Sequence, residues 1–221
     1  MAGDRRPGGG PEGTRISSRN KRAEIIAIAT DYFGRDGYEG TKWADVATAV
    51  GLGSTALYHY FESKQHCLYV IMAEATEAAR GEFEEVTEGL DFSDGINTAL
   101  RAQYELRDAE VLRNRVLVAQ QNRVGGRHSN QREEEARRSA RAHRDELEVA
   151  WATFLARGME GGAIPEADAR LLSRAILGAS SSVWHWYRPG GVLSLKEVAD
   201  FYVPRLLAMT GLIGLEALKP A

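Results

Sequence analysis

The chain has 221 residues, of which 43% are hydrophobic and 27% are charged, and its formal net charge is -3. This is enough apolar material for a large core, so a disordered chain is excluded, and the negative total excludes a protein that coats nucleic acid indiscriminately. Residues 1–64 hold nine Lys/Arg against eight Asp/Glu, whereas residues 65–221 hold nineteen against twenty-three, so the positive side lies with the N-terminal part.

The sequence contains no motif typical of a catalytic site, a metal site or a membrane-spanning segment. Cys67 is the single cysteine, which excludes an intrachain disulfide and fits a reducing compartment. The five histidines lack metal-ligand spacing, and there is no nucleophile elbow or phosphate-binding loop. No apolar run is long enough to span a bilayer, and no secretory leader follows the first arginines. We therefore expect a cytoplasmic protein that is not an enzyme and has no cofactor, metal site or membrane partner.

The N-terminal residues 1–17 are rich in Gly and Pro, which predicts a flexible tail. Residues 5–22 contain six basic side chains and one acidic side chain, so this segment is either an arm that reaches DNA or a solvated tail. Ser18 is a candidate N-cap for a first helix that ends near Gly37. Few prolines and many Ala, Leu, Glu and Arg residues favour an all-α architecture throughout.

The stretch from Thr41 to Lys64 predicts a helix-turn-helix. Apolar residues recur at helical spacing up to Val50, the pattern breaks at residues 51–53, and Leu57 and Phe61 resume it. A turn of this length sets two helices near a right angle, so that the second can enter a DNA major groove. We therefore place a DNA-binding domain at residues 18–64.

The recognition helix is predicted over residues 54–60, with its outer surface available to DNA. Small hydroxyl side chains near its start can approach base edges, and the tyrosines and histidine that follow can donate hydrogen bonds to phosphates. Alternatively, Tyr58 and Tyr60 pack against the first helix. Thr41 is expected to cap the second helix, with Lys42 beside it, and Ser63 to cap a long helix whose Lys64 points toward the same duplex. The residues predicted to contact DNA are Thr41, Lys42, Trp43, Ser54, Thr55, Ala56, Tyr58, His59, Tyr60 and Lys64.

Residues 22–72, with the skeleton AT...F...GYEGT...DVATAVGLGSTALYHYFESK, resemble the N-terminal domain of the TetR family of bacterial regulators. The resemblance implies an all-helical homodimer with a three-helix N-terminal domain that reads a palindromic double-stranded operator. It also implies a C-terminal domain, residues 65–221, for effector binding and dimerisation. Three departures concern Ala44, where the family often has arginine, Gly53, where it has a capping serine, and Ser54-Thr55, where Lys-Gly is common. Ser54 is expected to take over the cap.

The remaining chain predicts further helices. One runs from Ser63 to about residue 86, and others begin near residues 91–93 and 111; a polar loop covers residues 122–130. A helix over residues 131–157 follows, then one over 166–187 and a last one from Ser194. In the charged first half of the 131–157 helix, Arg141, His143 and Arg144 either belong to a solvated face of paired charges or grip an anionic ligand.

The segment WYRPGG-x-LS, beginning at Trp186, resembles a TetR subgroup associated with lipid, acyl-CoA and steroid catabolism. This resemblance implies a bulky and largely apolar effector, an acyl-CoA or steroid-type small molecule; alternatively, the aromatic residues here fill a dimer seam. A small-residue stretch at residues 178–182 leaves room for a ligand or allows close helix approach. The residues predicted to bind the effector are Tyr104, Gln120, Trp151, Phe154, Ser181, Trp184 and His185, and those predicted at the dimer interface are Leu172, Ile176, Ala179, Val183, Phe201, Tyr202 and Arg205.

The functional prediction is a sequence-specific transcriptional repressor that a small molecule releases from its operator. The alternative is a ligand-binding helical dimer that has lost specific operator recognition, because Ala44 and Ser54 cannot make long basic contacts to DNA.

Overall fold

The computed structural model describes residues 11–125 and 130–214, and within these ranges the chain is helical and contains no strand. The first residues of the predicted tail, 1–10, lie outside the described part, as do residues 126–129 of the predicted polar loop. The α-helices are α1 (Pro11–Asp36), α2 (Trp43–Ala49), α3 (Ser54–Leu57), α4 (Lys64–Thr87), α5 (Phe92–Ala102), α6 (Asp108–Gln120), α7 (Gln131–Glu160), α8 (Ala169–Ser181), α9 (Val183–Trp186) and α10 (Leu195–Thr210), and a short 3-10 helix covers Gln121–Gly125.

The all-α prediction is confirmed, and so is the predicted N-cap Ser63. The side chains of Ser63, Asp91 and Ser194 each accept a hydrogen bond from a backbone N–H in the first turn of the helix that follows. The start of α1 differs from the prediction: the helix begins at Pro11 rather than after Ser18, so residues 11–17 of the predicted tail are helical.

The predicted helix over residues 166–187 is divided at Ser182 into α8 and α9. Three successive serine hydroxyls, those of Ser180, Ser181 and Ser182, donate to the carbonyl oxygens three residues earlier, at 3.2, 3.2 and 2.6 Å. Serine side chains that bond to local carbonyls in this way compete with the regular helix ladder. Helix α9 packs against α6.

Two hydrophobic clusters organise the molecule. The first, here called the head core, gathers buried residues of α1, α2, α3 and the first turns of α4, and extends to Val116 of α6 and Ala140 of α7. The second, the body core, joins α5, α6, α7, α8 and α10 around Trp151, Ile176 and Leu206. The head core continues along α4 as far as Ala73, so the packing does not divide at residue 64; a functional boundary there stays a prediction.

Candidate nucleic-acid interface and ligand cavity

The helix-turn-helix is held together by residues that the sequence placed on its inner side. Val46 and Ala47 of α2, Leu57 of α3 and Phe61 after it are all fully buried in the head core. Gly51 turns the chain between the two helices with φ of +72°, a conformation that glycine adopts without steric cost. The predicted reader is therefore present as a packed unit.

This packing leaves one face of the α3 segment in solvent. Ser54, Thr55 and His59 are exposed, and Tyr58 is 51% exposed. Helix α3 itself is a single turn, and residues 58–60 continue it as a turn rather than as regular helix. Tyr60 is half-buried and packs on the head core, whereas Tyr58 does not belong to it.

Two capping predictions in the head are wrong. Thr41 does not cap α2: it is buried, and its hydroxyl donates to the carbonyl of Gly37 at 2.9 Å, which closes the turn after α1. Burial also removes Thr41 from the surface offered to DNA. Ser54 does not take over the cap of α3 either, because it is the first helical residue and Gly53 occupies the N-cap position.

Trp43 and Lys64 face inward more than the sequence suggested. The Trp43 ring packs edge-on against Phe61 with 6.4 Å between ring centroids, and its indole nitrogen is buried. The Lys64 ammonium donates to the carbonyl oxygens of Tyr38 at 2.7 Å and Thr41 at 2.9 Å and lies 4.2 Å from the centre of the Tyr38 ring. Burial lowers the pKa of Lys64 below its ordinary value. Lys42, by contrast, is exposed at the start of α2.

The head is tied to the body by polar contacts that the sequence did not indicate. Ser63 hydrogen-bonds to the carboxylate of Glu133 at the start of α7. Arg123, just after α6, pairs with Glu39 in the α1–α2 turn, and its guanidinium lies 4.8 Å from the centre of the Tyr38 ring. Burial is the main reason that the pKa of Tyr38 is raised to about 12.

A cavity of about 350 Å³ lies in the body, lined by residues of helices α4 to α9. Its wall is mainly apolar and includes Trp151 and Trp184 as well as Ser181, three of the residues predicted to bind a ligand. Ligand sites typically measure about 300–1,000 Å³, so the cavity is of a suitable size. Met72, Leu117 and Ala140 belong both to this wall and to the head core.

Four residues predicted to bind the effector do not line this cavity. The Tyr104 ring is buried behind it against Trp184, with 6.0 Å between ring centroids. Phe154 stacks on Phe92 at 5.2 Å and faces a separate surface groove beside α5. His185 is exposed to solvent, and Gln120 accepts a hydrogen bond from Arg123 instead. Helical spacing identified each helix but not which of its faces meets the cavity.

Polar residues of the cavity wall escaped the sequence reasoning. Glu82 of α4, Gln103 at the end of α5, and Arg113 and Asn114 of α6 contribute to one side of the wall. Burial, followed by the nearby Glu110 carboxylate, raises the pKa of Glu82, while Arg113 lowers it. The sequence did contain a signal for the charged residue on α6. This helix carries apolar residues on two faces, so a charged side chain between them has no fully solvated side.

The charged first half of α7 agrees with the paired-charge interpretation. Glu134 accepts hydrogen bonds from Arg137 and Arg138 at 2.7 and 2.9 Å, and Arg141 lies 3.8 Å from Asp145. His143 meets Glu146 at 3.3 Å. Arg144 alone of the three residues considered for an anionic ligand reaches the cavity wall.

The predicted dimer residues divide into two groups. Ile176 and Val183 are fully buried within the protomer, so they support the body core and cannot meet a partner. Leu172, Ala179 and Tyr202 are half-buried, whereas Arg205 is exposed and Phe201 is 54% exposed. Other large apolar side chains exposed on or next to α8, α9 and α10 are Leu171, Trp186, Val192, Leu193 and Met209.

Neither a membrane span nor a metal-binding cluster occurs within residues 11–125 and 130–214. No helix there is both long and apolar enough to cross a membrane. No group of three or more His, Cys, Asp or Glu side chains in the same ranges could hold a metal ion.

Both parts of the chain match known family models. Residues 25–69 match the model described as bacterial regulatory proteins, tetR family, and residues 109–210 match the model described as tetracyclin repressor-like, C-terminal domain. The first range contains the helix-turn-helix, and the second contains much of the cavity wall.

Individual proteins are similar over most of their length. The HTH-type transcriptional repressor KstR2 of Rhodococcus jostii strain RHA1 is 27% identical over 189 residues, which cover 85% of this chain and 89% of that protein. The crystal structure of the TetR family transcriptional regulator PfmR from Thermus thermophilus superimposes with a TM-score of 0.70 at 29% identity, covering 83% of this chain and 97% of PfmR. AibR in complex with isovaleryl coenzyme A and operator DNA shares the fold, with a TM-score of 0.67 at 19% identity over 84% of this chain and 97% of AibR.

Proposed function

The chain belongs to the TetR family of bacterial transcriptional regulators, and from this premise we propose that it is a homodimeric repressor that a largely apolar small molecule releases from a palindromic operator. One observation carries the proposal: the buried Leu57 and Phe61 fix an α3 segment whose other face offers Ser54, Thr55, Tyr58 and His59 to solvent.

In the proposed complex the α3 segment enters the major groove. Ser54, Thr55 and Ala56 have short side chains, so the helix backbone can come close to base edges and thymine methyl groups. Tyr58, His59 and Lys42 then reach the flanking phosphates, with Lys42 supplying the charge. The two heads of a dimer would contact half-sites about 34–36 Å apart, one helical turn of DNA, or a multiple of this distance.

The proposed dimer forms through the exposed side of α8 and α10. Phe201 and Met209 lie eight residues apart on α10, with Arg205 midway, so all three share one side of the helix. The Arg205 guanidinium lies 3.6 Å from the centre of the Phe201 ring, which joins these side chains into one surface. Leu171, 61% exposed on α8, adds apolar area. Exposed apolar patches of this kind mark interfaces in soluble proteins.

The proposed effector has an acyl or polycyclic body that fills the cavity beside Trp151 and Trp184. A volume of about 350 Å³ is at the small end for ligand sites, so a whole coenzyme A thioester would have to leave its nucleotide outside. The rim near Arg144 and Arg174 provides positive charge for such a group, although Arg174 is paired with Glu148 at 2.8 Å. AibR, which shares the fold, was crystallised with isovaleryl coenzyme A and operator DNA.

In this proposal, release of the protein from its operator depends on residues that belong both to the cavity wall and to the head core. Met72, Leu117 and Ala140 touch both, so a ligand that displaces these side chains alters the support of the head. Only a ligand that binds the DNA-incompatible arrangement more tightly shifts the population toward it. No flexible linker needs to transmit the change, because α4 is continuous from Lys64 to Thr87.

A mobility-shift assay with the DNA upstream of the chain's own gene tests the proposal. We expect a discrete shift that survives a large excess of unrelated duplex at moderate salt. A matched comparison is the double variant S54A/T55A, which keeps Leu57 and Phe61 and so keeps the fold, but should lose part of its preference for this DNA over the unrelated duplex. Absence of any sequence-specific shift, here and in a selection from random duplexes, would instead favour a ligand-binding dimer without an operator.

A further inference from the structure

One end of the cavity is closed by a single side chain, that of Phe83 on α4. Phe83 lines the cavity and also the surface groove beside α5, and of the residues that the structure describes it alone belongs to both walls. On the cavity side its ring stacks on Trp151, with 4.4 Å between ring centroids. On the groove side it meets Phe154 edge-on, with 5.6 Å between ring centroids. The Phe83 ring, which is buried, therefore forms the partition between the two spaces.

The rings behind Phe83 hold this partition in place. Phe154 of α7 stacks on Phe92 of α5, with 5.2 Å between ring centroids. Each of these two rings also lies over a glycine of the opposite helix. A Cβ on Gly95 of α5 would lie 2.9 Å from the Phe154 ring, and a Cβ on Gly158 of α7 would collide with the other ring. Rings packed this closely leave no space into which Phe83 could retreat, so Phe83 is a fixed wall rather than a mobile gate.

An exposed part of the cavity wall lies about two helical turns away from this partition. Arg144 of α7 and Arg174 of α8 line the cavity and are exposed to solvent. Trp151, which stacks on Phe83, follows Arg144 by seven residues on α7, a distance of about 10 Å along the helix axis. An extended hydrocarbon chain gains about 1.2–1.3 Å per bond, so about eight to ten carbons span this distance. A longer chain leaves its remaining carbons in water.

We infer that Phe83 sets the length of the effector: the apolar part of the molecule extends from the exposed rim to this ring and is about eight to ten carbons long. The inference rests on the proposed function in taking the cavity as the effector site. Each methylene transferred from water to an apolar site strengthens binding about fourfold. A chain therefore gains affinity until it meets Phe83 and gains nothing beyond it. Truncation of Phe83 opens the cavity into the groove, whose volume is about 920 Å³, and so removes the limit.

The test is displacement of the fluorophore N-phenyl-1-naphthylamine from the full-length protein by straight-chain 1-alkanols of increasing length. In the wild-type protein we expect the affinity to rise about fourfold per methylene up to about eight to ten carbons and then to level off. In Phe83→Ala the rise should continue for about two to four further carbons. An alkanol two carbons beyond the wild-type limit should then bind this variant about tenfold more tightly than the limiting alkanol does.

The matched control is Phe92→Ala, which removes another of the packed rings, but one that lines the groove and not the cavity. This control should keep the wild-type limit. Phe83→Leu is the milder variant, because leucine keeps much of the apolar volume and should fold even where the alanine variant does not. It should move the limit by about one or two carbons. Circular dichroism shows which variants are folded and can be compared.

Three outcomes would overturn the inference while leaving the proposed function intact. The affinity for alkanols could keep rising beyond about ten carbons in the wild-type protein, or the folded Phe83 variants could keep the wild-type limit. Phe92→Ala could also move the limit as far as Phe83→Ala does, which would assign the change to a general loosening of the packed rings. If no alkanol binds the wild-type protein, the cavity is not an apolar effector site, and the effector part of the proposed function fails together with the inference.

Discussion

Replacement of Lys64 by methionine should destabilise the fold and leave the salt dependence of DNA binding unchanged. Sequence reasoning placed this lysine on the DNA backbone, which predicts a smaller salt slope when the charge is lost. In the structure, two of the three ammonium donors are bonded to the Tyr38 and Thr41 carbonyls, at 2.7 and 2.9 Å. The charge therefore acts inside the head, where it holds the α1–α2 turn against the start of α4.

The expected loss of unfolding free energy follows from these contacts. Hydrogen bonds to charged groups contribute about 1.5–3 kcal/mol, and partial exposure places this pair toward the lower end, so we expect a loss of about 2 kcal/mol. For a chain of 150–250 residues, 1 kcal/mol corresponds to about 2–4 °C in Tm, which gives a decrease of about 4–8 °C. Methionine fills a similar volume, so packing alone contributes little to this loss.

Lys42→Met is the matched control, because Lys42 is exposed at the start of α2. It should keep the wild-type Tm and lower the slope of log Kobs against log salt by about 1.8, because the dimer loses one phosphate contact in each head. The assays are thermal denaturation and mobility shifts between about 50 and 200 mM salt. A Lys64→Met protein with unchanged Tm and a slope reduced by about 1.8 would refute the structural role and restore the phosphate contact.

Three further predictions concern other parts of the chain. Burial, with Arg132 nearby, lowers the pKa of His66, so below about pH 6.5 the unfolded state takes up the proton first. As the pH falls, the unfolding free energy should then decrease by up to about 1.4 kcal/mol per pH unit in denaturant titrations, and His66→Gln should abolish this pH dependence. If the variant kept it, another titrating group would be responsible. Gly34→Ala should destabilise the fold by about 1–3 kcal/mol, because the new Cβ would lie 2.7 Å from a side-chain atom of α6. Gly81→Ala, where the new Cβ meets nothing, should stabilise α4 by about 0.5–1 kcal/mol, and equal effects of the two variants on Tm would contradict this packing. Thr55→Ala should reduce discrimination at one operator base pair by about 1 kcal/mol in competition assays while bulk affinity changes little, and an unaltered preference would remove Thr55 from base contact.

The head could be predicted from the sequence because its signals are local. Glycines at the turns, a capping serine at residue 63 and apolar residues at helical spacing define each element without reference to the rest of the fold. The errors arose where a side chain had two possible partners. Thr41 could cap α2 or bond back to Gly37, and only the burial of the α1–α2 turn decides for the second.

The body was less predictable because its functional residues depend on helix rotation. Helical spacing marked Ile176 and Val183 as apolar, but an apolar residue can face the core, a cavity or a partner, and these two face the core. Aromatic residues drew attention to Tyr104 and Phe154, which pack against other rings. Arg113 was overlooked because a single arginine on a helix is normally solvated.

The cavity adjoins the head core, so the proposed sensor and the proposed reader share packed residues. A ligand can influence the head only if the two states differ in contacts that the ligand alters. Met72 supplies such a contact, because its flexible side chain belongs to the head core and to the cavity wall. Leu117, the corresponding residue on α6, lies in the helix that packs on α1. A ligand that rearranges these two side chains therefore acts on α1 and α4 together. Ser63 connects the start of α4 to the start of α7, and Arg123 connects the end of α6 to the α1–α2 turn. Because of these connections, we expect the head to move as one body.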